Sequence, residues 1–175
     1  MTEINIFSEN IYDKWNIDEK YFIDNAKKIL EFYLTIPEVS IASCLNSYDY
    51  DVVSFDFLYC NSIKTHEINR EYRNKDYPAD IITFAIFADT EKSERFIFDG
   101  EINLGEVIIA LDKVQEEAAK KKVSEEFELM FLISHGIMHL LGFDHQTEED
   151  YNFVIDKQYK ALKVIGYDEV QNSGI

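Results

Sequence analysis

The chain has 175 residues, 46% of them hydrophobic and 14% aromatic, which suits one domain of ordinary size with a sizeable core. Its formal charge is −17 at pH 7, with 34 acidic residues against 17 lysines and arginines, and this argues against adhesion to nucleic acid or acidic lipid by bulk charge. Cys44 and Cys60 are too few for a disulfide framework or a thiolate metal site and read as buried free thiols; the amino terminus lacks a basic region followed by an apolar one, so a soluble cytoplasmic protein with no membrane contact is expected.

The sequence contains no internal repeat, no low-complexity tract and only two prolines, Pro37 and Pro78, so residues 1–175 are taken as a single domain. The first 40 residues offer one clear signal. Phe22, Ala26, Ile29, Leu30 and Tyr33 recur at helical spacing and stop short of Pro37, which predicts an amphipathic helix. In "VVSFDFLYC", Val53, Phe55, Phe57 and Tyr59 alternate with smaller or polar neighbours as a half-buried strand would. A short helix is expected around 65–72. "DIITFAIF" and "NLGEVIIAL" are rich in β-branched and aromatic residues and predict two further strands, with residues 89–95 as an exposed connection.

Beyond residue 111 the pattern turns helical. Asp112 with Gln115 resembles a capping pair at the start of a surface helix, and Lys120, Lys121 and Lys122 stand where the helix dipole favours cations. Ser124 opens another helix, apolar on nearly every side from Leu129 to Leu141, which marks it as central and buried. Gly142 is placed to end it through a left-handed residue, and Thr147, followed by Glu148, Glu149 and Asp150, begins a last helix carrying Tyr151, Val154, Ile155 and Leu162. Strands early and helices late indicate an α+β domain, a small mixed sheet packed against helices around the buried one.

That buried helix carries "HGIMHLLGFDH", residues 135–145, with three of the chain's four histidines. His135 and His139, four residues apart, share one helix face and can offer imidazoles to a single ion; Gly142 permits the bend that brings His145 round as a third ligand. Three neutral nitrogens leave the fourth position of a tetrahedral zinc open, the layout of a catalytic site. One Zn2+ per chain is therefore expected on His135, His139 and His145. The skeleton H-x-x-x-H-x-x-G-x-x-H is also that of metzincin proteases, but Gly136 stands where those enzymes carry their glutamate, and no methionine follows His145 to form their methionine turn.

The same eleven residues closely resemble the H-G-x-L-H-L-x-G-[FY]-D-H signature of the YbeY family of bacterial rRNA maturation factors, departing from it at Met138. "INREYRNKDYPADIITFA", residues 68–85, is similar to that family's L-N-x-x-Y-R-x-K-D-x-P-T-D-V-L-S-F-P block, with Ala79 for its threonine and Ala85 for its proline. "LGEVII", residues 104–109, is similar to its L-G-D-I-x-I strand. The resemblance runs from about residue 52 to 160 and implies a single α+β domain with zinc on the three histidines at the base of a cleft. It further implies a metal-dependent endoribonuclease of single-stranded RNA that works on the 3′ end of small-subunit rRNA and in ribosome quality control. The implied partners are the small ribosomal subunit and assembly factors including a GTPase.

Lys64, Arg70, Arg73 and Lys75 make residues 64–75 a locally basic track in an acidic chain. Arg70, Arg73 and Lys75 are the expected substrate contacts. Arg73 is also expected at the reacting phosphate, because a guanidinium can grip two phosphate oxygens and stabilise developing charge. Asp144, Glu148 and Glu106 are candidates for orienting water, and His66 reads as a surface histidine. The alternatives are a metzincin-like metalloprotease, another metal-dependent hydrolase, or a non-catalytic zinc-bound ribosome-assembly factor.

Overall fold

The computed structural model describes residues 2–167, in the order β1 (Glu3–Asn10), α1 (Glu19–Thr35), α2 (Pro37–Ala42), β2 (Val52–Cys60), α3 (Ser62–Tyr72), β3 (Ile81–Phe84), α4 (Ile86–Asp89), β4 (Glu101–Ala110), α5 (Leu111–Lys121), α6 (Glu125–Leu140) and α7 (Glu148–Val164). It is a single α+β domain. The four strands form one mixed sheet in the order β1-β2-β4-β3, with β1, β2 and β4 parallel and β3 antiparallel to β4. Among the described residues no helix is long and apolar enough to cross a membrane. Cys44 and Cys60 are buried free thiols, as expected.

Two elements of the first 42 residues escaped the sequence reading. In β1 only Ile4 and Ile6 are buried and Phe7 faces solvent, so this edge strand carries too little apolar alternation to announce itself. Pro37 stops α1 and then takes the first position of α2, where its missing N–H costs nothing. The expected strand over 80–87 is shorter than its composition suggests. Pairing ends at Phe84↔Glu106, because Gly105 (φ +129°) bulges β4 so close to β3 that a Cβ there would lie 1.9 Å from the Phe84 carbonyl oxygen. Residues 86–89 then turn into α4. The expected cap of α5 by Asp112 and Gln115 is also corrected. The helix begins at Leu111 without a side-chain cap, and the Asp112 carboxylate instead accepts from the Ser62 backbone N–H (2.8 Å) and hydroxyl (2.6 Å), tying α5 to the start of α3.

The central helix is α6. Ser124 caps it by accepting from the Phe127 N–H at 3.0 Å, and from Phe127 to Leu141 every residue is buried except Phe131, His135 and His139. These three lie four apart, so one stripe of an otherwise enclosed helix reaches a cleft. The rest is held by the sheet on one side and by α1, α5 and α7 around it; the Tyr33 hydroxyl of α1, for example, donates to the Ser134 carbonyl at 3.0 Å.

Candidate metal centre and cleft

The end of α6 sets the third histidine. Gly142, at φ +101°, donates to the His139 carbonyl (2.9 Å), and Phe143 donates to the Met138 carbonyl (3.0 Å), the paired bonds of a Schellman turn. The chain reverses over Phe143 and Asp144 and brings His145 back beside the helix. The ring centroids of His135, His139 and His145 lie 4.4 to 5.2 Å apart, and each histidine offers a nitrogen within 4.8 Å of the other two. All three line a cleft of about 560 Å³.

The donor chemistry fits an ion. The Nε2 atoms of His135 and His139 face each other at 2.8 Å, a separation at which both cannot carry hydrogen and which a cation with nitrogen bonds of about 2 Å can bridge. Gln158 on α7 defines the tautomer of His135. Its amide nitrogen donates to the Phe131 carbonyl (3.2 Å) and the Ser134 hydroxyl (3.3 Å), which turns its Oε1 toward His135 Nδ1 at 2.9 Å. Nδ1 must therefore donate, and Nε2 keeps its lone pair for the centre. Burial lowers the pKa of His135 against the opposing hydrogen bond that it donates to Gln158. Burial also pushes His139 down to about 4, helped by His135 and His145. Neutral imidazoles at physiological pH are what a divalent cation needs.

Of the expected substrate residues, the fold brings Arg73 to the cleft and leaves Arg70 and Lys75 outside its lining. Arg73 follows the last residue of α3, its charge bears on His139, and its Nη1 makes only a long 3.4 Å contact with Asn69 Oδ1. Arg70 is paired with Asp76, which also meets His66 at 2.8 Å on the outer face of α3. Of the expected carboxylates, Asp144 lines the cleft; Glu148 lies in the first turn of α7. Glu106 alternates with Val107, which touches α6, so it points to the opposite sheet face, where burial and then Asp56 raise its pKa.

The structure adds residues that the sequence reading left out: Asp80 at the start of β3, Lys121 at the end of α5, and Gln158 and Tyr159 on α7. Gln158 had left a trace. It falls in step with Tyr151, Val154, Ile155 and Leu162 as a polar residue on an apolar stripe, and it is fully buried.

Known proteins with similar sequences show the family to which the chain belongs. The family model described as Endoribonuclease YbeY matches residues 8–166. The chain is 31% identical to an Endoribonuclease YbeY of Malacoplasma penetrans over 95% of this chain and 100% of that protein. It is 36% identical to one of Acetivibrio thermocellus, over 90% and 94%. The solution structure of a Thermotoga maritima protein has the same fold, with a TM-score of 0.54, 22% identity, and coverage of 91% of this chain and 87% of that one.

Proposed function

Because the chain belongs to the endoribonuclease YbeY family, we propose that it is a zinc-dependent enzyme that cuts single-stranded RNA in the 3′-end maturation and quality control of the small ribosomal subunit. Its place is the cytoplasm, and its partners are that subunit and assembly factors including a GTPase. The observation that carries the reading is the convergence of three imidazoles in the cleft that Arg73 also lines.

His135, His139 and His145 are the proposed zinc ligands. A zinc ion there would polarise a phosphoryl oxygen and lower the pKa of its water toward ~7. Arg73 holds the scissile phosphate through two oxygens and stabilises the charge that grows on them in the transition state. Arg70 and Lys75 extend phosphate contact along the strand beyond the cleft. Gln158 keeps His135 in the tautomer whose Nε2 lone pair faces the centre, and Asp80, Asp89 and Asp144 are the cleft carboxylates from which a proton acceptor for attacking water would come. Peptide hydrolysis is disfavoured because Gly136 replaces the metzincin glutamate and no methionine follows His145.

The test is to incubate metal-replete protein with single-stranded RNA, duplex RNA and casein, with His139→Ala as the control for contaminating nuclease. Cleavage confined to single-stranded RNA and lost in His139→Ala is expected. Proteolysis that disappears in His139→Ala would overturn the reading.

A further inference from the structure

The cleft continues past the histidines along a strip whose residues the metal centre does not use. Phe131 precedes His135 by one turn on α6, Tyr151 and Tyr159 stand two turns apart on α7, and Lys121 closes α5; all four line the cleft. The Tyr151 ring meets the His145 ring edge-on at 6.3 Å, and the Tyr159 ring lies 5.8 Å from that of Phe131. Lys121 Nζ lies 5.4 Å from the Phe131 centroid. Tyr159 joins the two ends: burial raises its pKa, the Tyr151 hydroxyl adds to this, and Lys121 opposes it. The strip thus runs from the third histidine over three aromatic rings to a cation.

Two features set it apart from ordinary packing. Tyr151 is 49% exposed and lines the cleft, so about half of it is not taken up by core packing. Lys121 is held in place instead of waving in solvent: Glu128, whose side chain is only 3% exposed, accepts from its ammonium at 3.1 and 3.3 Å, while the lysine itself keeps 27% exposure. Arg73 and Lys121 are the two cations among the lining residues; one bears on His139 and the other on Tyr159.

We propose that this strip is a nucleotide subsite, in which Tyr151 stacks a nucleobase beside the metal triad and Lys121 contacts a phosphate farther along the strand. The proposal rests on the reading of the cleft as an RNA site and names what selects its substrate. A base offers its face to an aromatic ring only when it is not sandwiched in a duplex, so the strip favours single strands without reading sequence.

The experiment measures binding, by fluorescence anisotropy, of a labelled uridine octamer and of an octamer of abasic ribose to metal-replete protein, within the short interval over which a gel shows each probe still intact, and follows cleavage of the uridine octamer separately over a long incubation. Wild type should prefer the base-bearing octamer about 10-fold, within the range of one aromatic stack. Tyr151→Ala should lose that preference by weakening the uridine octamer alone, and Tyr151→Phe, which keeps the ring, should recover most of it. Lys121→Gln should weaken both probes alike and reduce the slope of log K against log salt by about 0.7, one phosphate's worth for a single strand. Because Lys121→Gln strands Glu128, the double variant Lys121→Gln/Glu128→Gln is measured beside it. Failure of wild type to bind the octamer, or a Tyr151→Ala effect equal on both probes, overturns the subsite; the latter result means that the ring only props His145. Tyr151-dependent binding without any cleavage leaves the subsite standing and removes the nuclease reading. Cleavage indifferent to Tyr151 does the reverse.

Discussion

Gly136 occupies the position at which a zinc protease would carry its catalytic glutamate, and the structure gives that glycine a steric reason. A Cβ built there would lie 2.9 and 3.2 Å from the two γ-carbons of Val107 and 3.2 Å from Ile81 Cδ1. Val107 is fully buried on β4 and, being β-branched, is restricted at χ1, so rotating it gives little relief to two γ-carbons that both lie close. Gly136→Ala must therefore push α6 off the sheet by a few tenths of an ångström. Overpacking of this kind costs ~1–3 kcal/mol, while alanine in place of glycine inside a helix returns ~1 kcal/mol. The net expectation is a loss of about 1 kcal/mol, or roughly 3 °C in Tm for a chain of this length. Since His135 and His139 ride on the same helix, metal affinity should fall with it.

Thermal melts of the chelated protein measure the stability change, and a Val107→Ala background isolates its cause. Removing the γ-carbons costs about 2 kcal/mol by itself. It should also convert Gly136→Ala from destabilising to neutral or better, a coupling of about 1–3 kcal/mol between adjacent sites. If Gly136→Ala raises Tm in the wild-type background, or costs the same with and without Val107, the contact between helix and sheet does not dictate this glycine. Gly136→Glu, which would restore the protease pattern, buries a carboxylate against Val107 and Ile81 and should not yield folded protein.

Three further expectations follow from particular contacts. Gln158→Leu removes the group that fixes the His135 tautomer and should weaken zinc binding about 10–100-fold in competition with a chelating dye; unchanged affinity would deny the amide that role. Arg73 has no ion pair among the described residues, so Arg73→Ala should melt within ~0.5 kcal/mol of wild type yet lose about 100-fold in RNA cleavage, with Arg73→Lys recovering part. In metal-free protein, His139 titrates near 4 when folded and near ~6.5 when unfolded, so the unfolded chain takes up the proton first. Stability is then complete above about pH 6.5 and declines by up to about 3 kcal/mol toward pH 4, a slope that urea titrations at stepped pH should find much reduced in His139→Gln.

What could be read from the sequence follows the strength of the local signals. The caps at Ser124 and Thr147 and the reversal at Gly142 are short-range patterns whose hydrogen bonds are present, and the three histidines, also a short-range pattern, are brought together. What could not be read depends on partners distant in the chain. Edge strand β1 has few apolar residues and owes its state to pairing with β2, some 50 residues later. The end of β3 at Phe84 is set by the bulge at Gly105, and no property of "DIITFAIF" reveals it. Within the site, a basic track was legible at 64–75, but which of its cations faces the histidines was not. Arg70 and Arg73 are three residues apart at the end of α3, and only the packing of that helix turns one toward the cleft and leaves the other to Asp76. Lys121 looked like a helix-end cation and is one, yet its charge is also directed into the cleft by Glu128, seven residues on in the next helix.

The acidity of the chain is consistent with an RNA substrate if binding is decided locally. At physiological salt the Debye length is about 8 Å, so most of the −17 charge is not felt at the cleft. Of the lysines, arginines and carboxylates that line it, Arg73 and Lys121 face Asp80, Asp89 and Asp144, and that balance is slightly negative. A divalent cation on the triad would reverse it. The proposed zinc site therefore bears on substrate admission as well as on chemistry, since a phosphate has little electrostatic reason to enter before the ion is in place. On that reading the surrounding carboxylates would act as a filter. They would deny the chain the sequence-independent grip on any duplex backbone that basic proteins possess, and leave a strand held chiefly where it reaches the rings of the cleft, its two cations and the metal, with Arg70 and Lys75 adding phosphate contact just outside.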